Sequence, residues 1–278
     1  MAAHTTRTAI VTGAGRGIGR AVALALGARG VRVALLARTR NEIDAVRDLL
    51  VAGARTGPGG GRKERAGEAG SERSVAEAFV CDVTDPASVR DACAAAQQAL
   101  GAADILVNGA GEAVSAPFSK TDLDLWERLV RVNLTSAFLV TKEVLPGMTV
   151  RGWGRVVNIA SVAGLSGAAY VTAYTAAKHG LVGFTRALSQ EVARRGVTVN
   201  AVCPGYVDTP MTDRSVANIV QKTAMSEDQA RAALASRSPQ DRMMSPEEVA
   251  SLILYLVSDE ARGINGQAIT LDGGGLVA

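Results

Sequence analysis

The sequence predicts one doubly wound α/β domain spanning residues 1–278, in which a parallel sheet of about seven strands carries helices on both faces. Short β-branched or aliphatic runs alternate with longer Ala- and Leu-rich stretches along the chain. The runs lack polar alternation, which is typical of strands buried on both faces. The chain has 278 residues, 47% of them hydrophobic, and this suits a single large domain with a sizeable core.

Seven runs are predicted strands, because each is short and rich in Val, Ile or Leu. In chain order they read TAIVT, VRVALLA, AEAFVCDV, DILVN, GRVVNIA, VTVNAV and GQAITL. The longer segments between them are predicted helices. Strands and helices in strict alternation indicate a parallel sheet covered on both faces.

Two segments depart from this alternation. Residues 53–74 are rich in Gly and charge and hold almost nothing apolar, which predicts a flexible surface insertion. A basic arm for a partner is the alternative. Residues 204–246 hold two helical stretches, VANIVQKT and SEDQARAAL, and are too long for a plain connection. We expect them to form a lid over a substrate site.

Composition disfavours several function classes. The net charge is +3, and residues 55–74 hold five bases against three acids, so the remainder is close to neutral. This disfavours an extended nucleic-acid surface. No apolar run reaches the roughly 18 residues of a membrane span. The N-terminus also lacks an apolar signal segment, so we expect a cytoplasmic protein with no membrane partner.

The cysteines and histidines indicate neither a disulfide nor a metal site. Cys81, Cys93 and Cys203 are widely spaced and flanked by apolar residues, which favours free buried thiols. The chain has only two histidines. We therefore expect no bound metal.

The first predicted strand runs into a glycine-rich turn. Gly13, Gly17 and Gly19 lie between the apolar run that ends at Val11 and a predicted helix. Glycines allow a tight turn and a close approach of a pyrophosphate to backbone N–H groups, and the helix N-terminus adds partial positive charge. At the first strand and helix of an alternating chain, this turn indicates a Rossmann-type dinucleotide site.

The turn TGAGRGIG, at residues 12–19, resembles the opening motif of the short-chain dehydrogenase/reductase family. Later motifs extend the resemblance from about residue 7 to 274, and its pattern is most similar to the 3-oxoacyl (acyl-carrier-protein or CoA) and polyketide ketoreductases. These motifs are CDVTD at 81–85, LVNGAG at 106–111, VNL with Asn133, NIASVAG with Ser161, the pair Tyr174 and Lys178, and PGYVDT at 204–209.

The resemblance implies that a nicotinamide cofactor is held by the glycine turn and by the ends of the later strands. Gly109 departs from the family's Asn-Asn-Ala-Gly motif, so we expect one hydrogen bond fewer there. The implied cofactor-binding residues are Gly13, Arg16, Gly17, Ile18, Gly19, Arg38, Thr39, Asp82, Val83, Asn108, Ala110, Gly111, Tyr174, Lys178, Pro204, Gly205, Val207 and Thr209.

The end of the second strand predicts a preference for NADP(H) over NAD(H). Enzymes that use NAD usually carry an acid there, which hydrogen-bonds the ribose. Here Ala37 replaces the acid and Arg38 follows it, while Arg16 approaches from the glycine turn. Two guanidinium groups suit a phosphate dianion. The alternative is that both arginines are solvated surface residues.

Tyr174 and Lys178 are the predicted centre of the chemistry. They lie four residues apart on a predicted helix and so share a face. Carbonyl reduction needs a proton donor beside the oxygen, and a nearby ammonium lowers the pKa of a tyrosine. Tyr170 precedes the expected helix start at Val171 or Thr172, and we expect it to line the pocket or pack.

Two further catalytic residues follow from the resemblance. It implies that Ser161 holds the carbonyl oxygen, that Asn133 holds a water linking Lys178 to solvent, and that the lysine also hydrogen-bonds the nicotinamide ribose. Taken singly, each has a structural alternative: a turn cap, a buried amide or a solvated lysine.

The leading functional hypothesis is NADPH-dependent reduction of a 3-oxoacyl thioester, carried on acyl carrier protein or CoA, with Tyr174 as general acid. A second hypothesis is an NAD(P)-dependent dehydrogenase of a hydrophobic small ketone or secondary alcohol. A third is a catalytically silent NADPH-sensing regulatory protein. The resemblance also implies a homotetramer, packed through the long helices that begin near Asp122 and Thr172.

Residues around the predicted lid leave the substrate open. Glu112, after NGAG, would disfavour a free keto acid near the carbonyl. The lid methionines either cover an acyl chain or belong to the core or a subunit contact. The lid bases either meet a phosphate or stay solvated. These residues are Met211, Met225, Met243 and Met244, and Arg214, Lys222, Arg231 and Arg237.

Overall fold

A computed structural model describes residues 6–56 and 75–276. It contains one sheet of seven parallel strands in the order β3-β2-β1-β4-β5-β6-β7. All seven predicted strands are present, and the predicted fold class is confirmed. The strands are β1 (Thr8–Thr12), β2 (Arg32–Ala37), β3 (Ala76–Val80), β4 (Ile105–Asn108), β5 (Gly154–Ile159), β6 (Val197–Pro204) and β7 (Ala268–Leu271).

Helices cover both faces of the sheet. Helices α1, α2 and α9 pack on one face, and α3, α5 and α6 pack on the other. Their bounds are α1 (Gly17–Ala28), α2 (Arg40–Thr56), α3 (Pro86–Leu100), α4 (Leu123–Val130), α5 (Ser136–Arg151), α6 (Thr172–Val192), α7 (Pro210–Lys222), α8 (Glu227–Ala235) and α9 (Pro246–Leu256). A π-helical turn, Arg131–Thr135, joins α4 to α5.

The strands are apolar throughout because both faces are buried. In β1, Ala9 and Val11 belong to the core beneath α1 and α9, whereas Ile10 points into the core beneath α3 and α5. All three side chains are fully buried. The uniform apolar runs in the sequence therefore correspond to two cores that share one sheet.

The strand order reverses between β1 and β4. From β1 the chain builds outward to β2 and β3, and then returns to place β4, β5, β6 and β7 on the other side. Open parallel sheets form a crevice at the carboxyl ends of the strands at such a switch point. The topology thus places a binding crevice beside the ends of β1 and β4.

Of the two irregular segments, the structure describes only the start of the first and all of the second. Residues 53–56, which we predicted to begin a flexible insertion, form the last turn of α2, so that boundary was wrong. Residues 57–74 lie outside the described residues. In the region 204–246, α7 and α8 lie where helical stretches were predicted, and Val216, Ala230 and Leu234 form a small core of their own.

Two composition-based expectations can be compared with the described residues. Cys81, Cys93 and Cys203 are free and buried, as predicted, and burial raises the pKa of Cys93 to about 12. Across residues 6–56 and 75–276, no helix has the length and apolar character needed to cross a bilayer.

Candidate active site

A cavity lies at the carboxyl edge of the sheet, beside the switch point. It is walled by the glycine turn, the ends of β2, β4, β5 and β6, the start of α6, and the lid. Among the predicted site residues, the structure brings together Gly13, Arg16, Gly17, Ile18, Gly19, Arg38, Thr39, Asp82, Val83, Ala110, Gly111, Asn133, Ser161, Tyr174, Lys178, Pro204, Gly205, Val207 and Thr209. One predicted cofactor residue, Asn108, is not part of the wall.

The glycine turn is packed so closely that no side chain fits at Gly13 or Gly19. A Cβ on Gly19 would lie 2.2 Å from the carbonyl oxygen of Gly13, and one on Gly13 would lie 2.9 Å from that of Gly109. Gly13 also has a φ of 68°, which favours glycine. Arg16, the N-cap of α1, provides no side-chain cap, so the first N–H groups of the helix stay available to an anion. This cradle fits a pyrophosphate.

The turn after β4 is held by a threonine of β1. The Oγ1 atom of Thr12 accepts hydrogen bonds from the N–H groups of Gly109 at 3.0 Å and Ala110 at 3.2 Å. A Cβ on Gly109 would lie 2.8 Å from the carbonyl oxygen of Thr12. A side chain at this position would therefore require the Thr12 carbonyl to shift.

Asn108 lies beneath the cavity, in a buried polar ladder across the sheet. Its Nδ2 atom donates to Oγ1 of Thr141 on α5 and, at 2.8 Å, to Oδ1 of Asn158 on β5. Asn158 in turn donates to Thr185 on α6. The side-chain amide therefore helps to hold β4 between its neighbours, and the cofactor contact of Asn108 stays a prediction.

The predicted phosphate-binding arginines line the cavity beside the ends of β1 and β2, whereas Ser161 follows β5. Arg16, Arg38 and Thr39 all line it, with Ala37 at the end of β2. Asp82 lines it as well, and hydrogen bonds from the backbone N–H and the hydroxyl of Thr84 hold the pKa of that carboxyl below its usual range. Acceptors for a ribose and cations for a phosphate therefore lie together.

Glu42 is a wall residue that the sequence analysis missed. It lies in the first turn of α2, and its carboxylate is 3.6 Å from the guanidinium of Arg16. Its position one helical turn after Thr39 is the signal that could have found it, because a residue three positions later shares a helix face.

Lys178 is buried behind Tyr174. Its side chain is 4% exposed, and Nζ donates a 2.8 Å hydrogen bond to the carbonyl oxygen of Ile159, at the end of β5. The same nitrogen lies 5.6 Å from the centre of the Tyr174 ring. Burial lowers the pKa of Lys178 to about 8, because a low-dielectric site disfavours the ammonium.

The pKa of Tyr174 moves in the direction opposite to our expectation. Burial raises it to about 12, and a hydrogen bond with the Ser161 side chain opposes only part of the rise. We expected Lys178 to lower it. Among the protein groups alone, the removal of water from the phenol has the larger effect.

Ser161 is placed beside Tyr174 by the end of β5. Its backbone is extended there, and its Oγ atom accepts a 3.1 Å hydrogen bond from the N–H of Ala163, in the short 3₁₀ turn Val162–Gly164. The capping alternative is thus realised together with the contact to Tyr174, because a hydroxyl both accepts and donates.

Tyr170 is separated from the site. It precedes α6, has a left-handed φ of 67° and is 62% exposed. Its carbonyl oxygen accepts a hydrogen bond from the N–H of Ala116. The side chain neither lines the cavity nor joins a described core, so the expectation that it would do one or the other was wrong.

Asn133 lies in the π-helical turn and fastens the loop after β4. Its Nδ2 atom donates to the carbonyl oxygens of Glu112 at 2.8 Å and Leu129 at 2.9 Å, and its Oδ1 accepts from the N–H of Glu112 at 3.2 Å. A Cβ on Gly111 would lie 2.9 Å from that Oδ1. Single π-helical turns often occur at functional sites, and this one presents an amide to the cavity wall.

The lid contributes the outer wall. Tyr206, Met211, Arg214 and Ser215 line the cavity there. The other candidate methionines are used elsewhere: Met244 is buried in the main core and Met243 packs in the small lid core. Met225 is 42% exposed.

Among the lid bases, Arg214 differs from its neighbours. It lines the cavity and forms no ion pair within residues 6–56 and 75–276. Arg231, by contrast, pairs with Asp208, Asp213 and Glu227.

Glu112 carries less weight than the sequence suggested. Its carboxylate accepts a 2.8 Å hydrogen bond from Arg128 on α4, and Glu112 does not itself line the cavity. Because Arg128 neutralises the carboxylate of Glu112, this residue does not repel an anionic substrate. The expectation that Glu112 disfavours free keto acids was therefore wrong.

Known proteins share both the sequence and the fold. The model of the family described as short chain dehydrogenase matches residues 7–219. A putative ketoacyl reductase of the granaticin polyketide synthase from Streptomyces violaceoruber is 41% identical, over 96% of this chain and 92% of that protein. The 3-oxoacyl-[acyl-carrier-protein] reductase FabG of Salmonella typhimurium is 37% identical over 96% of each chain.

A solved structure agrees. The actinorhodin polyketide ketoreductase, crystallised with NADPH, superposes with a TM-score of 0.88 at 36% identity, covering 99% of this chain and 98% of its own. Sequence and structure together show that this chain belongs to the short-chain dehydrogenase/reductase family and is an NAD(P)-dependent oxidoreductase acting on CH–OH groups.

Proposed function

We propose that this protein uses NADPH to reduce the 3-oxo group of an acyl thioester to a secondary alcohol. The observation that carries the proposal is that one cavity is lined both by Ser161, Tyr174 and Lys178 and by Arg16 and Arg38. Relatives named as ketoacyl and 3-oxoacyl reductases support the substrate class. The acyl group would be carried on acyl carrier protein or CoA.

The cofactor is proposed to lie along the glycine turn and the strand ends. Its pyrophosphate would meet the N–H groups at the start of α1, and its adenosine would lie against Asp82 and Val83. The two arginines with Ala37 would hold a 2′-phosphate, which supports NADP(H) over NAD(H). When bound, the cofactor supplies the hydride for the carbonyl carbon.

Tyr174 is proposed to donate the proton to the carbonyl oxygen. A phenol whose pKa is about 12 stays protonated at neutral pH, which suits the acid in the reductive direction. Ser161 would donate a second hydrogen bond to the same oxygen and fix its position. Negative charge that develops on this oxygen is then met by two hydroxyl donors.

Lys178 is proposed to stabilise the phenolate that the transfer leaves behind. Its Nζ is 5.6 Å from the Tyr174 ring centre in a buried site, where an ammonium attracts a phenolate strongly. Asn133 is proposed to hold a water that returns the proton from solvent to Lys178. Hydrogen bonds to Glu112 and Leu129 already fix the orientation of the Asn133 side chain, so the proposed water would be held at a defined position.

The lid is proposed to receive the acyl carrier. Tyr206 and Met211 offer apolar surface for an acyl chain, and Met is an adaptable side chain. Arg214, with no ion-pair partner among the described residues, would meet a phosphate of CoA or of a carrier-protein arm.

A substrate panel tests the proposed function. NADPH and NADH are each supplied with acetoacetyl-CoA, the acetoacetyl thioester of N-acetylcysteamine, and cyclic and aryl ketones, and oxidation is followed by absorbance. We expect both thioesters to turn over, with NADPH preferred. A large preference for the ketones would contradict the thioester proposal.

The phosphate contact is tested by Arg214→Gln in the same panel. We expect the KM for acetoacetyl-CoA to rise about fivefold, the size of one exposed charge contact. The N-acetylcysteamine thioester has no phosphate, so its KM should not change. Arg237→Gln is the matched control, because Arg237 is an exposed lid arginine away from the cavity. An equal change for both thioesters would contradict the phosphate contact.

A hydrophobic small ketone or secondary alcohol is the second candidate. The apolar side chains of Tyr206 and Met211 in the cavity wall favour it. The panel decides between the two substrates. Turnover of any carbonyl would contradict the silent NADPH-sensor alternative.

A homotetramer is also proposed. Leu123 and Trp126 on α4 and Phe138 on α5 are exposed apolar side chains, which a subunit contact would cover. Light scattering after size exclusion should give a mass near four chains, and a monomer mass would contradict it. The predicted cytoplasmic location is tested by fractionation of the source cells.

A further inference from the structure

We propose that Glu42 sets the strength of cofactor discrimination by holding Arg16 away from the 2′-phosphate. The inference rests on the proposed NADPH site and adds a residue that opposes it. Arg16 would be divided between a carboxylate of the protein and a phosphate of the ligand. Glu42 would thus weaken binding of 2′-phosphorylated nucleotides without changing binding of unphosphorylated ones.

The contact joins two elements of the cavity wall. Glu42 lies in the first turn of α2, and Arg16 lies in the glycine turn that precedes α1. Their closest charged atoms, Nη1 and Oε1, are 3.6 Å apart, and their side chains are 53% and 34% exposed for Arg16 and Glu42. Within the described residues, Arg16 forms no other ion pair.

Gly15 gives Glu42 its position. A Cβ on Gly15 would lie 2.8 Å from both Cβ and Oε2 of Glu42, so the carboxylate lies directly against the glycine turn. The φ of Gly15 is outside the left-handed range, unlike those of Gly13 and Gly17. Room for Glu42, rather than backbone conformation, therefore explains the glycine at this position.

The two arginines proposed to face a 2′-phosphate therefore differ in how far their charge is neutralised by the protein. Arg38 has no salt bridge in the described part of the chain, whereas Arg16 is partly neutralised by Glu42. Asp82 also faces Arg38, at longer range, and the arginine contributes to lowering the pKa of its carboxyl. A phosphate dianion would meet two guanidinium groups, and the Glu42 carboxylate would both repel it and compete for Arg16.

Binding of 2′,5′-ADP and 5′-ADP to the Glu42→Gln variant, measured by calorimetry, tests the inference without turnover. We expect the Kd for 2′,5′-ADP to fall about fivefold, the size of one exposed ion pair. The Kd for 5′-ADP should stay unchanged. Asp44→Asn is the matched control, because Asp44 lies on the same helix, pairs with Arg40 and Arg47, and does not line the cavity.

A second background tests whether Glu42 acts through Arg16. In Arg16→Gln, the further change Glu42→Gln should strengthen 2′,5′-ADP binding much less, because only the direct repulsion of the phosphate is then removed. The inference is overturned by an unchanged Kd in Glu42→Gln, by an equal gain for 5′-ADP, or by a gain that is just as large without Arg16. The wild-type ratio of NADPH to NADH affinity tests the proposed cofactor preference separately, since it does not depend on the variants.

Discussion

A methyl group added at Gly19 would lie 2.2 Å from the carbonyl oxygen of Gly13, whereas the lid wall opposite Tyr174 is built from side chains such as Tyr206 and Met211. In the cofactor half of the cavity, residues 13–19, 37–39, 82–84 and 109–111, the glycines thus leave little room for an added atom. The substrate half, formed by Ser161, Tyr174, Lys178 and the lid, is walled by side chains. In the cofactor half, adding an atom should weaken NADPH binding. In the substrate half, removing an atom should lower the rate of the reaction.

The largest effect should come from removing one oxygen in the substrate half. Tyr174→Phe should lower kcat by about 10² to 10⁴, the usual contribution of a general acid. The Kd for NADPH, followed by fluorescence, should stay within about twofold, because the cofactor half is untouched. Tyr170→Phe is the control and should turn over like the wild type, since Tyr170 does not line the cavity. Equal losses in both variants would contradict the assignment.

The next effect should come from adding one methyl in the cofactor half. Gly19→Ala should raise the Kd for NADPH about 10- to 100-fold, because overpacking typically costs about 1–3 kcal/mol. Gly183→Ala is the matched control, since a Cβ there would meet nothing within 4 Å. If Gly19→Ala bound NADPH normally, the close packing of the glycine turn would not matter for the cofactor, and the contrast between the two halves would be wrong.

The two halves of the cavity should also differ in their pH dependence, since catalysis depends on Lys178 and binding of the adenosine part of the cofactor does not. The ammonium of Lys178, whose pKa is about 8, loses its proton as the pH rises through that value. Tyr174 remains protonated over this range, since its pKa is about 12. For reduction, kcat/KM should therefore fall about tenfold per unit above pH 8. Binding of 5′-ADP, which lacks the nicotinamide ribose, should show no matching change. A kcat/KM that stays flat to pH 10 would exclude the proposed role of Lys178.

The smallest effect should come from loosening the lid. Arg231→Gln removes the pairs to Asp208, Asp213 and Glu227, which join α7, α8 and the segment before them. Exposed ion pairs contribute little, so the KM for the thioester should rise about two- to threefold. NADPH binding should be unchanged. A larger change in NADPH binding than in KM would place the lid in the cofactor half instead.

The sequence could predict features that depend on local spacing, but not contacts between distant elements. The strands, the glycine turn and the helix carrying Tyr174 and Lys178 follow from local periodicity and spacing. The partners of Glu112 and Asn108 do not, because Arg128 and Asn158 reach them from other elements. The contact of Glu42 with Arg16 likewise joins two elements, although the spacing of Glu42 from Thr39 is visible in the sequence. The direction of the Tyr174 pKa depends on how many atoms exclude water from its ring, which no motif encodes.

The π-helical turn Arg131–Thr135 has a consequence for attempts to stabilise the protein. Deleting one of its residues is the change that would make α4 and α5 run on as a single regular helix, the idealised geometry that protein designers prefer. It would also move the amide of Asn133 off Glu112 and Leu129. Engineering for heat resistance should therefore leave this irregular turn alone, since improved helical order there would come at the expense of activity.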